Sequence, residues 1–523
     1  MLVHDLVLDA ARRDSDALAL QCDDEQISYS VLAEQVLNVA AGLTELGLQP
    51  DDRVAIYLNK RIEFVVGCFA TSLAGGVFVP VNPVLKQKQV GHILRDSGSS
   101  VLITTATQAA MIAPALMNCA HLRWLILIDK PADQLQLPEH VTALEWQQLG
   151  SATTAAAARR SESDIAAILY TSGSTGKPKG VVLSHRNMVA GAVSVATYLE
   201  NKPEDRILAV LPFSFDAGFS QLTTAFYAGA SVALIDYFLP QDIPRAVARY
   251  RTNGLAGVPP LWNQLVKLDW PAETAAPLSY LTNTGGAMPT ATLKKLKETF
   301  GSARIFLMYG LTEAFRSTYL PPDEIDERPT SIGKAIPNVE IMVVREDGTL
   351  CAAGEPGELV HRGPLVALGY WNDKERTAQR FRPVPGLPAD LPNPEIAVWS
   401  GDTVVQDEDG YLYFVGRRDD MIKSSGYRIS PTEVEEAVHA TGLVTDCAAV
   451  GIPDPDLGQA VVVAAQARGS SDDETAQAIR DNCRRSLPNY MVPAAVVWFD
   501  SLPKTPNGKI NRTRLRETLA GSI

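Results

Sequence analysis

The chain has 523 residues, 46% of them apolar and 20% charged, which is ordinary for a soluble globular protein and enough for more than one domain. Its formal net charge of −13 argues against a nucleic-acid binder, which would carry a basic face. Six cysteines (Cys22, Cys68, Cys119, Cys351, Cys447 and Cys483) lack metal-ligand spacing and read as scattered thiols of a reducing compartment, not as a disulfide framework.

In chain order, the N-terminus lacks a basic region followed by an apolar core, so no signal peptide is expected and the cytoplasm is the expected location. Residues 52–58 read as a strand, 63–74 as a helix, 77–81 as a strand and 89–96 as a helix, followed by strands over 100–104 and 122–128. The uncharged run 64–85 is long enough to span a membrane. Its glycines and prolines (Gly67, Gly75, Gly76, Pro80 and Pro83) favour a buried helix followed by a strand. An Ala-rich connector, 152–163, leads to an apolar run over 165–170 and then to Thr171-Ser172-Gly173-Ser174-Thr175-Gly176-Lys177-Pro178-Lys179-Gly180. A second apolar run, 181–183, follows, so this loop joins two strands. Its glycines expose amide N–H groups, and its hydroxyls and lysines add donors and positive charge, a combination suited to phosphate oxygens. It is not a Walker A loop, because Pro178 stands where that spacing needs glycine.

Short apolar strands follow over 207–211, 231–235, 255–258, 280–282 and 305–308. Four motifs begin where such strands end: Phe213-Ser214-Phe215-Asp216, Pro259-Pro260, Asn283-Thr284-Gly285-Gly286-Ala287 and Tyr309-Gly310-Leu311-Thr312-Glu313. Ligands of open α/β sheets bind beyond the carboxyl ends of strands, so the four motifs point to one cleft. A β-rich section is expected around 339–344, 358–360 and 411–415, with a proline-rich exposed loop over 383–394 that carries no assigned role. The character changes at Gly416-Arg417-Arg418-Asp419-Asp420. A small α/β unit is expected beyond it, with helices over 432–439 and 473–485 and strands over 448–452, 460–465 and 495–499, ending in the loop that carries Lys509. There is no internal repeat.

These motifs, in this order, resemble the adenylate-forming superfamily of acyl-CoA synthetases, peptide-synthetase adenylation domains and luciferases. The resemblance covers nearly the whole chain. It implies an α/β fold with a large N-terminal domain, 1–418, of helix-covered parallel sheets plus a β-rich subdomain. A small mobile C-terminal α/β domain, 419–523, would carry the catalytic lysine. It also implies a reaction in which a carboxylate attacks the α-phosphorus of ATP, pyrophosphate leaves, and a phosphopantetheine thiol then displaces AMP. The attacking carboxylate is already ionised at neutral pH, so the first step needs positioning and positive charge instead of a general base.

By the same resemblance, Thr171, Ser172, Thr175 and Lys179 would hold the β- and γ-phosphates, with Gly173, Ser174 and Gly176 completing the loop. Thr312 would bond the α-phosphate, and Glu313 would serve Mg²⁺, a hard cation that favours oxygen ligands. Tyr309 would stack on adenine beside Gly310, and Gly285, Gly286 and Ala287 would let the base lie against backbone. Asp402 would bind the ribose hydroxyls with help from Arg417. Lys509 would bridge the substrate carboxylate and the α-phosphate. Asp419 matches the hinge, and Ser425, Gly426, Tyr427 and Arg428 the loop of the thiol step. Plainer alternatives stand beside these roles: a helix-terminal carboxylate for Glu313, a turn-capping one for Asp402 and a solvated loop lysine for Lys509.

One motif separates branches of the family. Many acyl-CoA synthetases and luciferases carry histidine within it, whereas this chain has Phe213-Ser214-Phe215-Asp216-Ala217-Gly218. That resembles stand-alone amino-acid adenylation enzymes, in which the aspartate pairs with a substrate ammonium; the alternative is that Asp216 caps the next helix. Matching motifs onto that pocket gives Asp216, Ala217, Ser220, Gly257, Thr282, Thr284, Met308, Arg316 and Ser317 as its lining. Small and polar residues there disfavour a long fatty chain. The substrate is expected to be a small polar amino acid rather than a fatty or aryl acid, with a second acidic or strongly polar group meeting Arg316, unless Arg316 pairs with a protein carboxylate. The acceptor is expected to be a separate carrier protein, with free coenzyme A as the alternative acceptor and a catalytically silent nucleotide-binding homologue as a further one.

Overall fold

The computed structural model describes residues 1–129, 135–149, 158–171, 178–388, 390–417, 422–424, 427–429, 431–454, 457–487, 489–506 and 508–520. Two mixed sheets organise the chain up to Arg417. One has eight strands, in the spatial order Gly369–Tyr370, Lys179–Ser184, Ile165–Thr171, Val77–Pro80, Arg53–Tyr57, Val101–Thr104, Trp124–Leu127 and Thr142–Glu145. The other has 14 strands around a parallel run, Arg304–Tyr309, Tyr280–Asn283, Gly254–Gly257, Arg206–Ala209 and Ser231–Leu234. These strands are short and rich in apolar residues because both their faces are covered, as parallel strands require.

The sheets are joined by helices whose apolar sides leave no solvated face. Phe69 of Ile62–Leu73 and Phe78 of Val77–Pro80 both stack on Phe219 of Asp216–Ala228, at ring-centroid distances of 6.2 and 5.1 Å. Burying each such ring is worth about 1.5–3 kcal/mol. The uncharged run over 64–85 is therefore a buried helix and strand, and no helix among the described residues is long and apolar enough to cross a membrane.

The strands and helices expected from hydrophobic runs fall within a few residues of those observed, but two regions, at the N-terminal and C-terminal ends, differ. Residues 1–50, where no element was expected, form the helix Asp5–Arg13, the strand pair Leu18–Cys22 and Glu25–Ser28, and the helix Tyr29–Glu45. The last is capped by Ser28, whose hydroxyl accepts from the Val31 N–H. The expected β-rich section is present and continues the parallel sheet. Thr318–Leu320 and Ser331–Ala335 turn antiparallel beside Arg304–Tyr309 and carry the 14-stranded sheet on to Leu412–Arg417 and the 11-residue strand Ile396–Gln406. At the C-terminal end a further helix, Arg512–Ala520, follows the expected elements.

Residues beyond 443 build a sheet of their own from Val444–Asp454, Gly458–Ala467 and Ala495–Trp498. Helices Pro431–His439 and Asp473–Ser486 cover it, with a core that includes Val434, Val463 and Ile479.

Candidate active site

Four adjacent parallel strands (Arg206–Ala209, Gly254–Gly257, Tyr280–Asn283 and Arg304–Tyr309) end at the same edge of the 14-stranded sheet. Each of the four motifs read from the sequence begins within a few residues of one of these ends. Two glycines keep the edge open. A Cβ on Gly257 would lie 2.6 Å from the Trp262 ring, and Gly285 has φ +75°, where an L side chain is strained.

At the phosphate corner, the strand pair Ile165–Thr171 and Lys179–Ser184 sets Thr171 opposite Lys179. Residues Ser172, Gly173, Ser174, Thr175 and Gly176 lie outside the described residues. The Thr171 hydroxyl oxygen is buried with no hydrogen-bond partner among the described residues. Lys179 Nζ lies 2.9 Å from Glu313 Oε1 and donates to the Tyr370 hydroxyl at 2.8 Å. Tyr370 in turn donates to Glu313 Oε1 at 2.6 Å. Glu313 sits in the 3-10 turn Thr312–Ala314, too short to be the helix terminus of the plainer alternative. Burial pushes its carboxyl pKa up, but the Lys179 charge and the Tyr370 and Lys179 hydrogen bonds outweigh that and bring it to about 2. Tyr370 carries no sequence signal of its own: Gly369-Tyr370-Trp371 offers only an aromatic pair after a glycine.

The acyl corner is a second closed network. Asp216 is the first residue of the helix Asp216–Ala228, and its side chain does not cap that helix. Its Oδ2 lies 3.0 Å from Arg316 NH1, and its Oδ1 accepts from the Thr312 hydroxyl at 3.2 Å. Arg316 therefore does pair with a protein carboxylate, and the partner is Asp216 itself. Its NH1 also donates to the Phe315 carbonyl, while its buried Nε has no hydrogen-bond partner among the described residues. The Arg316 side chain is 4% exposed and that of Asp216 15%. Ser220, Thr282, Thr284, Met308 and Ser317 are buried around the same strand ends, and Ala217 is half-buried. Ser317 pairs with His361, whose Nδ1 lies 2.9 Å from the serine oxygen. Burial lowers the His361 pKa to about 3, so the imidazole is neutral. No sequence signal points to His361, which sits in the buried part of the strand Pro356–Arg362.

At the adenosine end the Tyr309 hydroxyl donates to Asp402 Oδ2 at 2.5 Å, which brings the two residues assigned to adenine and ribose into contact. Asp402 is buried, pairs in register with Arg417 across antiparallel strands, and its backbone N–H donates to the Ser400 hydroxyl. Gly286 is tied to the same wall, where Asn283 Nδ2 donates to its carbonyl.

Lys509 is exposed, in a loop where its carbonyl accepts from the Thr505 N–H and where Lys504 and Ile510 pair. Asp419, Ser425 and Gly426 lie outside the described residues. Tyr427 and Arg428 belong to a two-stranded hairpin, Ile422–Ser424 with Tyr427–Ile429.

The protein family described as AMP-binding enzyme matches residues 7–371, and the AMP-binding enzyme C-terminal domain matches residues 433–509. The chain is 30% identical over 509 residues to tyrocidine synthase 3 of Brevibacillus parabrevis; the match covers 97% of this chain and only 7% of that relative's length. It is 29% identical to a long-chain-fatty-acid–CoA ligase of Salmonella typhimurium, over 98% of this chain and 94% of the relative. Among solved structures, o-succinylbenzoate coenzyme A synthetase of Bacillus subtilis, in complex with ATP and magnesium ion, superimposes with a TM-score of 0.81 at 25% identity, covering 98% of this chain and 99% of the other.

Proposed function

The chain belongs to the AMP-binding enzyme family and has the make-up of an AMP-forming ligase, and from that premise we propose that it activates an amino acid as its adenylate and passes it to a phosphopantetheine thiol. The observation that carries the amino-acid part is the Asp216 carboxylate, bonded on one side to Thr312 and on the other to Arg316. A carboxylate beside an apolar acyl chain would be costly to bury. An ammonium substituent offers it a partner from the substrate. The Asp216–Arg316 pair sharpens the choice: a substrate with an ammonium and a second acidic group exchanges one internal ion pair for two with the ligand. Small, polar and acidic amino acids are therefore favoured over fatty or aryl acids.

ATP would lie along the cleft, with adenine at Tyr309, ribose at Asp402 and phosphates at Thr171, Lys179 and the loop between them. Lys179 and Glu313 pair there, and the Thr171 hydroxyl, with no hydrogen-bond partner among the described residues, fits a phosphate oxygen. Among the described residues no cluster of three or more His, Cys, Asp or Glu could hold a metal. One ionised carboxylate, Glu313, fits Mg²⁺, which is held by one or two carboxylates plus substrate phosphates. The bound ion would neutralise phosphate charge. Lys509, on the small domain, acts on the carboxylate and α-phosphate, and rotation about Asp419 exchanges it for Ser425, Gly426, Tyr427 and Arg428 in the thiol step.

The acceptor is a carrier protein in this account. Free coenzyme A is the second reading, favoured by the match over 94% of a CoA ligase. A panel of amino acids and acyl acids in ATP–pyrophosphate exchange tests the substrate, and thioester formation with coenzyme A against a phosphopantetheinylated carrier tests the acceptor. Exchange driven by fatty acids alone would refute the amino-acid reading.

A further inference from the structure

The hydroxyl of Tyr370 has no part in the roles assigned so far, yet it lies between the two charged groups of the phosphate corner. It is 2.6 Å from Glu313 Oε1 and 2.8 Å from Lys179 Nζ. Its ring lies under the Lys179 ammonium, 4.1 Å from centroid to nitrogen, and meets Phe381 edge-on at 5.5 Å. The surrounding backbone is fixed as well. Tyr370 pairs with Val181 of the strand that leaves the phosphate loop, and its N–H donates to the Thr377 hydroxyl at 2.9 Å. The neighbouring Ala367 N–H donates to the Glu313 carbonyl at 2.9 Å. The side chain is thus buried and held on both faces.

We propose that Tyr370 is the positioning residue for the metal site: its hydroxyl keeps the Glu313 carboxylate in place when Lys179 leaves it for the nucleotide phosphates. The argument rests on the reading that Glu313 faces the metal of the nucleotide. In the closed triangle Lys179 occupies the place that a cation would take on Glu313. Both Lys179 and Glu313 have a better partner once the nucleotide and its metal arrive, so their mutual bond breaks. Tyr370 gains no such partner. Its bond to Glu313 survives the exchange and is then the one protein hydrogen bond of the triangle that still orients the carboxylate. Hydrogen bonds of this kind to metal-ligating carboxylates govern metal affinity, and losing one costs about 10- to 100-fold.

The test is Mn²⁺ binding, read by electron paramagnetic resonance in the presence of a non-hydrolysable ATP analogue, for the wild type, Tyr370→Phe and Glu313→Gln. Tyr370→Phe keeps the ring, its contact with Phe381 and the face under Lys179, so packing is preserved. It is expected to raise the Mn²⁺ dissociation constant about 10-fold, to leave metal-free analogue binding unchanged, and to regain adenylation rate at raised Mg²⁺. Glu313→Gln is expected to weaken Mn²⁺ at least as much. Unchanged Mn²⁺ affinity in Tyr370→Phe, with a loss in Glu313→Gln, would overturn the positioning role alone. Unchanged affinity in both would overturn the metal reading of Glu313 as well. Weakened metal-free nucleotide binding in Tyr370→Phe would overturn the proposal by assigning the hydroxyl to the phosphates.

Discussion

The phosphate corner and the acyl corner are each closed by a lysine or arginine on a carboxylate, and they differ in which partner is free to move. Lys179 and Glu313 are 19% and 13% exposed. A polyanion and its cation separate them by offering each a stronger partner. Arg316 is 4% exposed and anchored to the Phe315 carbonyl, whereas Asp216 is 15% exposed and shared with Thr312. Here the carboxylate is the reachable partner and the guanidinium is a fixed wall. On the proposed reading, the first corner would meet the nucleotide and the second would meet the acid. On the proposed reading, the first pair would open when nucleotide and metal bind, and the second would rearrange around the acid.

That contrast is broken or sharpened by substitution. The largest effect is expected from Lys179→Met, which removes a charge aimed at the phosphates. kcat/KM for ATP should fall about 10²- to 10³-fold in pyrophosphate exchange, by the measure of other transition-state donors. A loss confined to the KM of the amino acid would erase the distinction between corners. Next comes Asp216→Ala. It leaves the buried guanidinium unpaired, so stability should fall by about 3 kcal/mol in urea denaturation. The double variant Asp216→Ala/Arg316→Leu should recover most of that stability without recovering amino-acid use. If the double variant is no more stable than Asp216→Ala, the two side chains are not coupled.

A smaller effect is a pH dependence at Glu313. Its folded pKa of about 2 lies below its ordinary 4.5, so the stability it contributes is full above 4.5 and is lost as pH falls toward 2. The stability of the wild type relative to Glu313→Gln should therefore decline between about pH 5 and pH 2 in urea midpoints. A constant difference would mean that Lys179 does not hold the carboxylate ionised. The smallest effect is at His361, whose folded pKa is lowered by burial from 6.5 to about 3. Between those values the unfolded chain binds a proton that the folded one does not, so stability falls as pH drops below 6.5. His361→Gln should remove that component, and the wild-type curve should be the steeper of the two between about pH 7 and pH 5.

The strand ends and the residues on them were legible because apolar runs bounded by glycine, proline and polar motifs mark buried parallel strands directly. Tyr309 ends a strand, Thr312 and Glu313 form the turn after it, Asp216 starts a helix and Asp402 lies within the strand Ile396–Gln406. The pairing of Arg316 with Asp216 was legible only as an alternative, because spacing in sequence does not say which of two carboxylates, substrate or protein, a guanidinium meets across a cleft. Tyr370 and His361 were not legible at all. Each acts through a partner more than 40 residues away, and each sits among buried strand residues where an aromatic or imidazole ring reads as core. The N-terminal helices were missed for another reason: the Ser28 cap marks only where the Tyr29–Glu45 helix starts, and much of its apolar surface is buried on the Ile62–Leu73 helix, a tertiary contact.

The central claim, that Asp216 and Arg316 together select an amino acid, is tested most directly by comparing wild type, Asp216→Ala and Arg316→Ala in ATP–pyrophosphate exchange on the best substrate of the panel. The account predicts a small polar or acidic amino acid as that substrate, a steep loss of kcat/KM for it in both variants, and ATP binding that stays intact. Efficient exchange with a medium-chain fatty acid, indifferent to Asp216→Ala, would contradict it and return the chain to the fatty acyl-CoA branch.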